Sequence, residues 1–152
     1  MIFPEYTVTA AIDKTDKKNA DKDSQDFDKG RATRKQVMGE EFVANALAGV
    51  TDFTRPIQEH ITAKAWGDVW QRPGLDLNPR ALATVAAPTA LGNAAPQLKV
   101  HIDGALNVGS SREEVVEVMM QMAVYAGFPA ALNGLFAAKE VFAAREGPAD
   151  AP

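Results

Sequence analysis

Residues 111–127 read SREEVVEVMMQMAVYAG, and the fold class follows from this stretch. Ser111 with Glu114 three positions on has the form of a capping box, in which each residue's side chain satisfies a backbone N–H that the start of a helix leaves without a partner. Gly127 supplies the stop, because glycine takes the left-handed conformation that ends a helix. Between these signals Val115, Val116, Val118, Met119, Met120, Met122, Ala123, Val124 and Tyr125 leave few polar positions on any side. One neighbouring helix cannot cover so wide an apolar surface, so such a helix is central to a bundle, at a subunit interface, or both. We expect both, and therefore a homo-oligomer.

The flanking sequence repeats the pattern. Pro129 opens a further helix whose apolar set, Leu132, Leu135, Phe136, Val141 and Phe142, reaches about Arg145 before Gly147-Pro148. On the other side, Pro96 opens a helix carrying Leu98, His101, Ile102, Ala105 and Leu106, with Gly109 as its left-handed end. Asn78-Pro79 has the form of an N-cap followed by proline at the first helical position, and Gly92 closes the helix it starts. Pro88 lies inside that helix. An interior proline costs about 3 kcal/mol, so a bend or break is expected near Thr84–Pro88. From Thr54 to about Val69 the spacing puts Ile57, Ile61 and Ala65 on one face, with Trp66 and Trp70 stacked along the same side. From Arg31 to Ala48, Val37, Met38, Phe42, Val43, Ala46 and Leu47 recur at helical steps, and Gly49 ends the run.

Residues 11–30, AIDKTDKKNADKDSQDFDKG, hold almost nothing to bury. They are expected to form a charged arm that is partly mobile or draped over the surface, or else wraps a neighbouring subunit. With no alternating strand pattern and no Asn-Gly hairpin turn, the economical architecture is an all-α bundle of about six helices. The expected organisation is an arm over 1–30, a helical domain over 31–146 and a tail over 147–152.

Composition removes several functions. The chain has 152 residues, 46% of them apolar, which suffices for one core and not two. Its net charge of −4 gives no general field for polyanions, so no nucleic-acid partner is expected. No apolar run is long enough to span a bilayer, and Met1–Ala10 lacks a basic stretch followed by an apolar one, so a cytoplasmic protein without membrane association is expected. Cysteine is absent, which excludes disulfides, thiolate metal sites, a CxxC redox pair and a cysteine nucleophile. No HExxH pair and no glycine-rich phosphate loop occurs, so neither a metal nor a nucleotide cofactor is implied.

Two histidines remain, His60 and His101. A helical histidine is commonly a satisfied core or surface side chain. His101 is the better functional candidate, because apolar Leu98, Ile102 and Ala105 around it favour the neutral imidazole. His60 follows Gln58-Glu59 and reads as half exposed. Trp66–Asp76, WGDVWQRPGLD, is the most particular stretch, with two indoles, an arginine and a tight turn. On spacing alone it reads as a helix end buried against the core, since two tryptophans one turn apart are usually packing.

This run, after the helix that begins near Phe53, resembles the γ-carboxymuconolactone decarboxylase family. The resemblance extends to Arg34-Lys35-Gln36-Val37-Met38-Gly39 with Arg31 before it, to Leu98–Gly109 around His101, and to Glu113-Glu114-Val115, Gln121 and Tyr125–Ala130. Separated motifs in one order identify a family better than any single motif. The resemblance implies an all-helical, orthogonal, alkylhydroperoxidase D-like bundle assembled as a trimer or hexamer. A related redox branch carries CxxC where this chain has Ala94-Ala95-Pro96-Gln97, so thiol peroxidase chemistry is ruled out by the missing sulfur. Ala87-Pro88-Thr89 and Gly92-Asn93 depart from the usual pattern.

The implied reaction is the decarboxylation, without any cofactor, of 4-carboxymuconolactone or a close analogue in aromatic catabolism. The electron pair left by CO2 delocalises through the ring alkene into the lactone carbonyl. The protein then stabilises the charge and delivers one proton. On this reading His101 donates the proton, Glu59 orients it or acts as a base, and Trp66 and Tyr125 wall the pocket. Arg34, Arg72 and Arg80 are candidates to hold the carboxylates, because a guanidinium matches a carboxylate with two parallel hydrogen bonds. Each arginine also fits a plain salt bridge at a surface or helix end. The alternatives are another lyase, isomerase or cyclase reaction on a different carboxylated or polyketide-like substrate, and a non-catalytic oligomer that binds small acids.

Overall fold

The computed structural model describes residues 14–147, which are helical with no strand among them. Residues 1–13 and 148–152, and with them the first part of the expected arm and most of the tail, lie outside the described residues. In chain order the α-helices are α1 (Lys14–Met38), α2 (Glu40–Ala48), α3 (Arg55–His60), α4 (Leu77–Leu91), α5 (Ala95–Asn107), α6 (Arg112–Tyr125) and α7 (Phe128–Glu146). Between α3 and α4 the chain forms a π-helical segment, Ile61–Trp66, and a 3-10 turn, Val69–Gln71. The core joins Val37, Val43, Val85, Leu98, Ile102, Ala105, Val115, Met119, Ala137 and Val141 with the two indoles.

The C-terminal half follows the sequence closely. Ser111 Oγ accepts from the Glu114 N–H at 3.1 Å while Glu114 Oε2 accepts from the Ser111 N–H at 2.8 Å, which completes the capping box. Gly109 and Gly127 take positive φ at the ends of α5 and α6. Helix α7 packs against α6, α5 and α4. Lys99–Glu140 and Arg145–Asp103 ion pairs tie α7 to α5, and Arg112–Glu146 ties it to α6.

Helix α4 departs from expectation in two ways. It runs unbroken through Pro88, because Pro88 and Thr89 are buried where α4 meets α5, α6 and α7, and that packing outweighs the lost backbone bond. Its N-cap is Asp76, whose side chain makes no capping bond. Asn78 instead accepts a 2.8 Å hydrogen bond from Ser110 Oγ, joining the start of α4 to the α5–α6 turn.

The N-terminal half differs more. Residues 14–30, expected to be part of a charged arm that is partly mobile or draped over the surface, continue the first helix, and α1 ends only at Met38, where Gly39 at φ 88° separates it from α2. The charged segment, in which Phe27 is the one large apolar side chain between residues 14 and 30, packs with its backbone close against the π segment. A Cβ on Gly30 would sit 2.0 Å from the Thr62 carbonyl oxygen, and one on Gly67 would sit 1.8 Å from that of Asp26. Only glycine admits so close an approach. The helix after Thr54 also turns a different face inward from the expected one. Ile57 and Ile61 are exposed, whereas Thr62, Ala63, Trp66 and Trp70 are buried. The indoles do stack, with ring centroids 4.5 Å apart.

Candidate active site

Helices α1 and α5 cross next to two residues singled out by sequence. Gly104 lets the backbones close, since a Cβ there would lie 2.9 Å from Met38 Sδ and 3.3 Å from Val37 Cγ1. One turn further along α5, Asn107 Nδ2 donates to the Val37 carbonyl at 2.9 Å. One turn before Gly104 and Val37 lie His101 and Arg34, so the crossing that fixes the two helices also sets these side chains toward a common region.

Arg34 is only 8% exposed. Its Nη1 donates to Gln58 Oε1 at 3.3 Å and to Thr62 Oγ1 at 3.4 Å, and its buried Nε has no partner. Among the described residues no carboxylate forms an ion pair with it. Burial accordingly lowers its pKa, although a guanidinium starts so high that it keeps its charge. His101 is half-buried on α5 beside Leu98, Ile102 and Ala105, which are buried. Its pKa falls below the ordinary 6.5, first because burial penalises the imidazolium and second because the Arg34 charge repels it. The pair is thus a fixed cation beside a neutral imidazole, an arrangement short of one negative charge.

The other expected site residues are placed elsewhere. Arg80 Nη2 donates to the carbonyls of Arg72 and Leu75 at 2.9 and 3.0 Å, so this guanidinium fastens the turn before α4. Arg72 is exposed in that turn, and Trp66 is buried in the core against Trp70. Tyr125, at the end of α6, is 76% exposed. Glu59 is exposed on α3 and, with His60, Lys64, Ser24 and Phe27, lines a cleft of about 490 Å³ between α1 and the π segment. Neither Arg34 nor His101 lines that cleft.

Sequence reasoning missed Gln58 and Thr62. The signal was present: Gln58, Thr62, Trp66 and Trp70 follow at four-residue steps, which places them along one side of a helix. The π segment holds Thr62 so that its hydroxyl donates to the Gln58 carbonyl at 2.8 Å, which leaves the oxygen lone pairs facing Arg34. Single-turn π segments of this kind often sit at functional sites.

Comparison with known proteins bears on this site. The model of the carboxymuconolactone decarboxylase family matches residues 55–140. A nitrosuccinic acid decarboxylase of Metarhizium robertsii is 46% identical over 110 residues, covering 72% of this chain and 76% of the relative. A 4-carboxymuconolactone decarboxylase of Acinetobacter baylyi is 37% identical over 120 residues, covering 79% and 89%. An uncharacterized 15.0 kDa protein of Paracoccus denitrificans is 37% identical over 79 residues, covering 51% and 59%.

Proposed function

Because the chain belongs to the carboxymuconolactone decarboxylase family, we propose that Arg34 and His101 form the centre of a carboxy-lyase acting on a small carboxylated lactone. The observation that carries this reading is Arg34, a residue only 8% exposed and without a counter-ion among the described residues. A buried lone charge costs several kcal/mol, and a substrate carboxylate would supply the missing partner.

The residues support the following course. The substrate's carboxylates meet Arg34 and offset its positive charge, so the repulsion that depresses His101 weakens and the imidazole takes up a proton. The bond between the ring carbon and the departing carboxylate breaks, CO2 leaves, and the electron pair spreads through the ring alkene into the lactone carbonyl. His101 then returns the proton to a ring carbon, giving the enol-lactone and restoring the neutral imidazole. The substrate is its own electron sink, so this course calls on no cofactor.

A second substrate has specific support in the 46% identity to a nitrosuccinic acid decarboxylase. Nitrosuccinate and 4-carboxymuconolactone share a design: each is a substituted succinate with an electron acceptor at the carbon that loses CO2. In one the acceptor is a nitro group and in the other an unsaturated lactone, while the second carboxylate sits on a methylene arm in both. Incubating the protein with each compound, following ultraviolet absorbance and CO2 release, tests the proposal. Release of CO2 from either substrate supports a carboxy-lyase and identifies the acceptor it prefers. Release from neither contradicts it.

We further propose that the enzyme is a homo-oligomer, a trimer or hexamer, and works in the cytoplasm. Met120 and Val124 on α6, with Phe128, Leu132 and Phe136 on α7, recur at four-residue steps and are 50–77% exposed. An apolar surface of this kind marks an interface. Light scattering on the purified protein would give the mass directly, and a monomer would contradict the assembly.

A further inference from the structure

We propose that Gln58 is the specificity-determining residue of the Arg34 site: its uncharged amide holds the guanidinium in place without neutralising it, which leaves the positive charge for a ligand carboxylate. This rests on the reading of Arg34 as the substrate anchor.

Three observations lead here. Buried arginines are ordinarily paired with a carboxylate, yet the partners of Arg34 are a neutral amide and a neutral hydroxyl. Both bonds, 3.3 and 3.4 Å, are longer than the usual 2.9–3.0 Å and much longer than a charge-assisted pair of about 2.7–2.9 Å. They position the guanidinium but would yield to an anion. Thr62 cannot turn its hydroxyl proton on Arg34, because that proton is committed to the Gln58 carbonyl at 2.8 Å. Gln58 therefore fixes the cradle twice, through its side chain to Arg34 and through its backbone to Thr62.

The sequence contains the opposite solution one position away. Glu59 carries a carboxylate, but a helix rotates about 100° per residue, and Glu59 is exposed while Gln58 is half-buried. A carboxylate at position 58 would make an internal ion pair with Arg34 and compete with any incoming carboxylate. Gln58 also lines an opening of about 100 Å³ with Phe27, Leu47, Val50, Arg55 and Glu59, so the residue that holds Arg34 also reaches the surface.

Succinate, the skeleton common to the two substrates above, is the probe. Its affinity is measured by calorimetry on the full chain for the wild type, Gln58→Glu, Gln58→Met and Arg34→Met, with melting temperatures alongside. Gln58→Glu should weaken succinate tenfold or more and raise the melting temperature, since it adds the missing counter-charge. Gln58→Met, which removes the tether but adds no charge, should hold succinate within about fivefold. Equal affinity in the wild type and Gln58→Glu would overturn the proposal, as would a Gln58→Glu protein that melts lower or fails to fold. A wild type that does not bind succinate at millimolar concentration would also overturn it. Failure of the catalytic reading looks different: succinate would bind and respond to Gln58→Glu as described, while neither substrate released CO2.

Discussion

The two sides of this molecule differ in their buried charges, although exposed ion pairs, Lys35–Glu40 and Arg55–Asp52, occur on the N-terminal side as well. On the side built from α5, α6 and α7, Lys99, Arg112 and Arg145 each pair with a carboxylate, and both bonds of the α6 capping box are made. On the side built from α1, α3 and the π segment, Arg34 Nε and Asp26 Oδ2 are buried without a partner, and the remaining bonds of Arg34 are long and to neutral groups. The first side is satisfied within the chain, and the second is the one that the proposed substrate would complete. Unsatisfied buried polar atoms are rare in native proteins and destabilising; of the three among the described residues two lie on α1 and the third, Arg80 Nε, on α4, and it is the pair on α1 that the proposed ligand would complete.

Substitutions separate the two sides most sharply at His101. His101→Ala should lower turnover by about two to four orders of magnitude, the usual size of an acid–base contribution, with helicity and assembly unchanged. A rate within a few-fold of wild type would remove His101 from the chemistry. Arg34→Met should cut kcat/KM by roughly a hundredfold or more, because a buried carboxylate loses its partner. The same variant should melt at an equal or higher temperature, since a lone buried charge is replaced by an apolar side chain of similar length. Loss of stability together with activity would make Arg34 a structural residue and erase the contrast.

Gly30→Ala probes the seam of the N-terminal side. Its Cβ would lie 2.0 Å from the Thr62 carbonyl, so α1 and the π segment must separate, at about 1–3 kcal/mol in a urea titration and with a measurable fall in kcat/KM. Ser111→Ala makes the complementary case. It should cost about 0.5–2 kcal/mol through the lost cap and leave kcat/KM untouched. The smallest effect concerns pH. Folded His101 binds its proton less readily than the unfolded chain, so the unfolded state holds more protons between the depressed value and the ordinary 6.5. Stability therefore rises with pH through that window and is progressively lost as pH falls below 6.5. His101→Gln should flatten this dependence in urea melts at about pH 5 and about pH 7, and an unchanged slope would show that the imidazole is not held neutral by the fold.

The same division governs what the sequence reveals. Helices α4 to α7 are legible because their apolar residues recur at helical spacing between caps and glycines; the exceptions are both in α4, where Asn78 is not the cap and packing carries the helix through Pro88. The all-helical class and the burial of Leu98, Ile102 and Ala105 around His101 followed from that. The N-terminal side obeys other rules. The Lys- and Asp-rich start of α1 has no apolar period to read, because it docks through backbone contact at Gly30 and Gly67. Apolar spacing points to the face around Ile57 and Ile61, whereas the inward face follows the four-residue series Gln58, Thr62, Trp66 and Trp70, because a 3.6-residue period takes no account of a π turn. Gln58 and Thr62 gave no chemical cue on their own. A neutral amide and a hydroxyl become informative only once a buried guanidinium is seen to have nothing else.

The coupling between Arg34 and His101 can be observed directly, because the chain has two histidines and their ring nitrogens give separate signals in a two-dimensional NMR spectrum. The titration of His101 is followed with and without saturating succinate. We predict a midpoint below the ordinary 6.5 in the free protein that moves upward when the dicarboxylate binds. A midpoint that stays the same in both samples would mean that no anion enters beside Arg34, and the site described here would not be one.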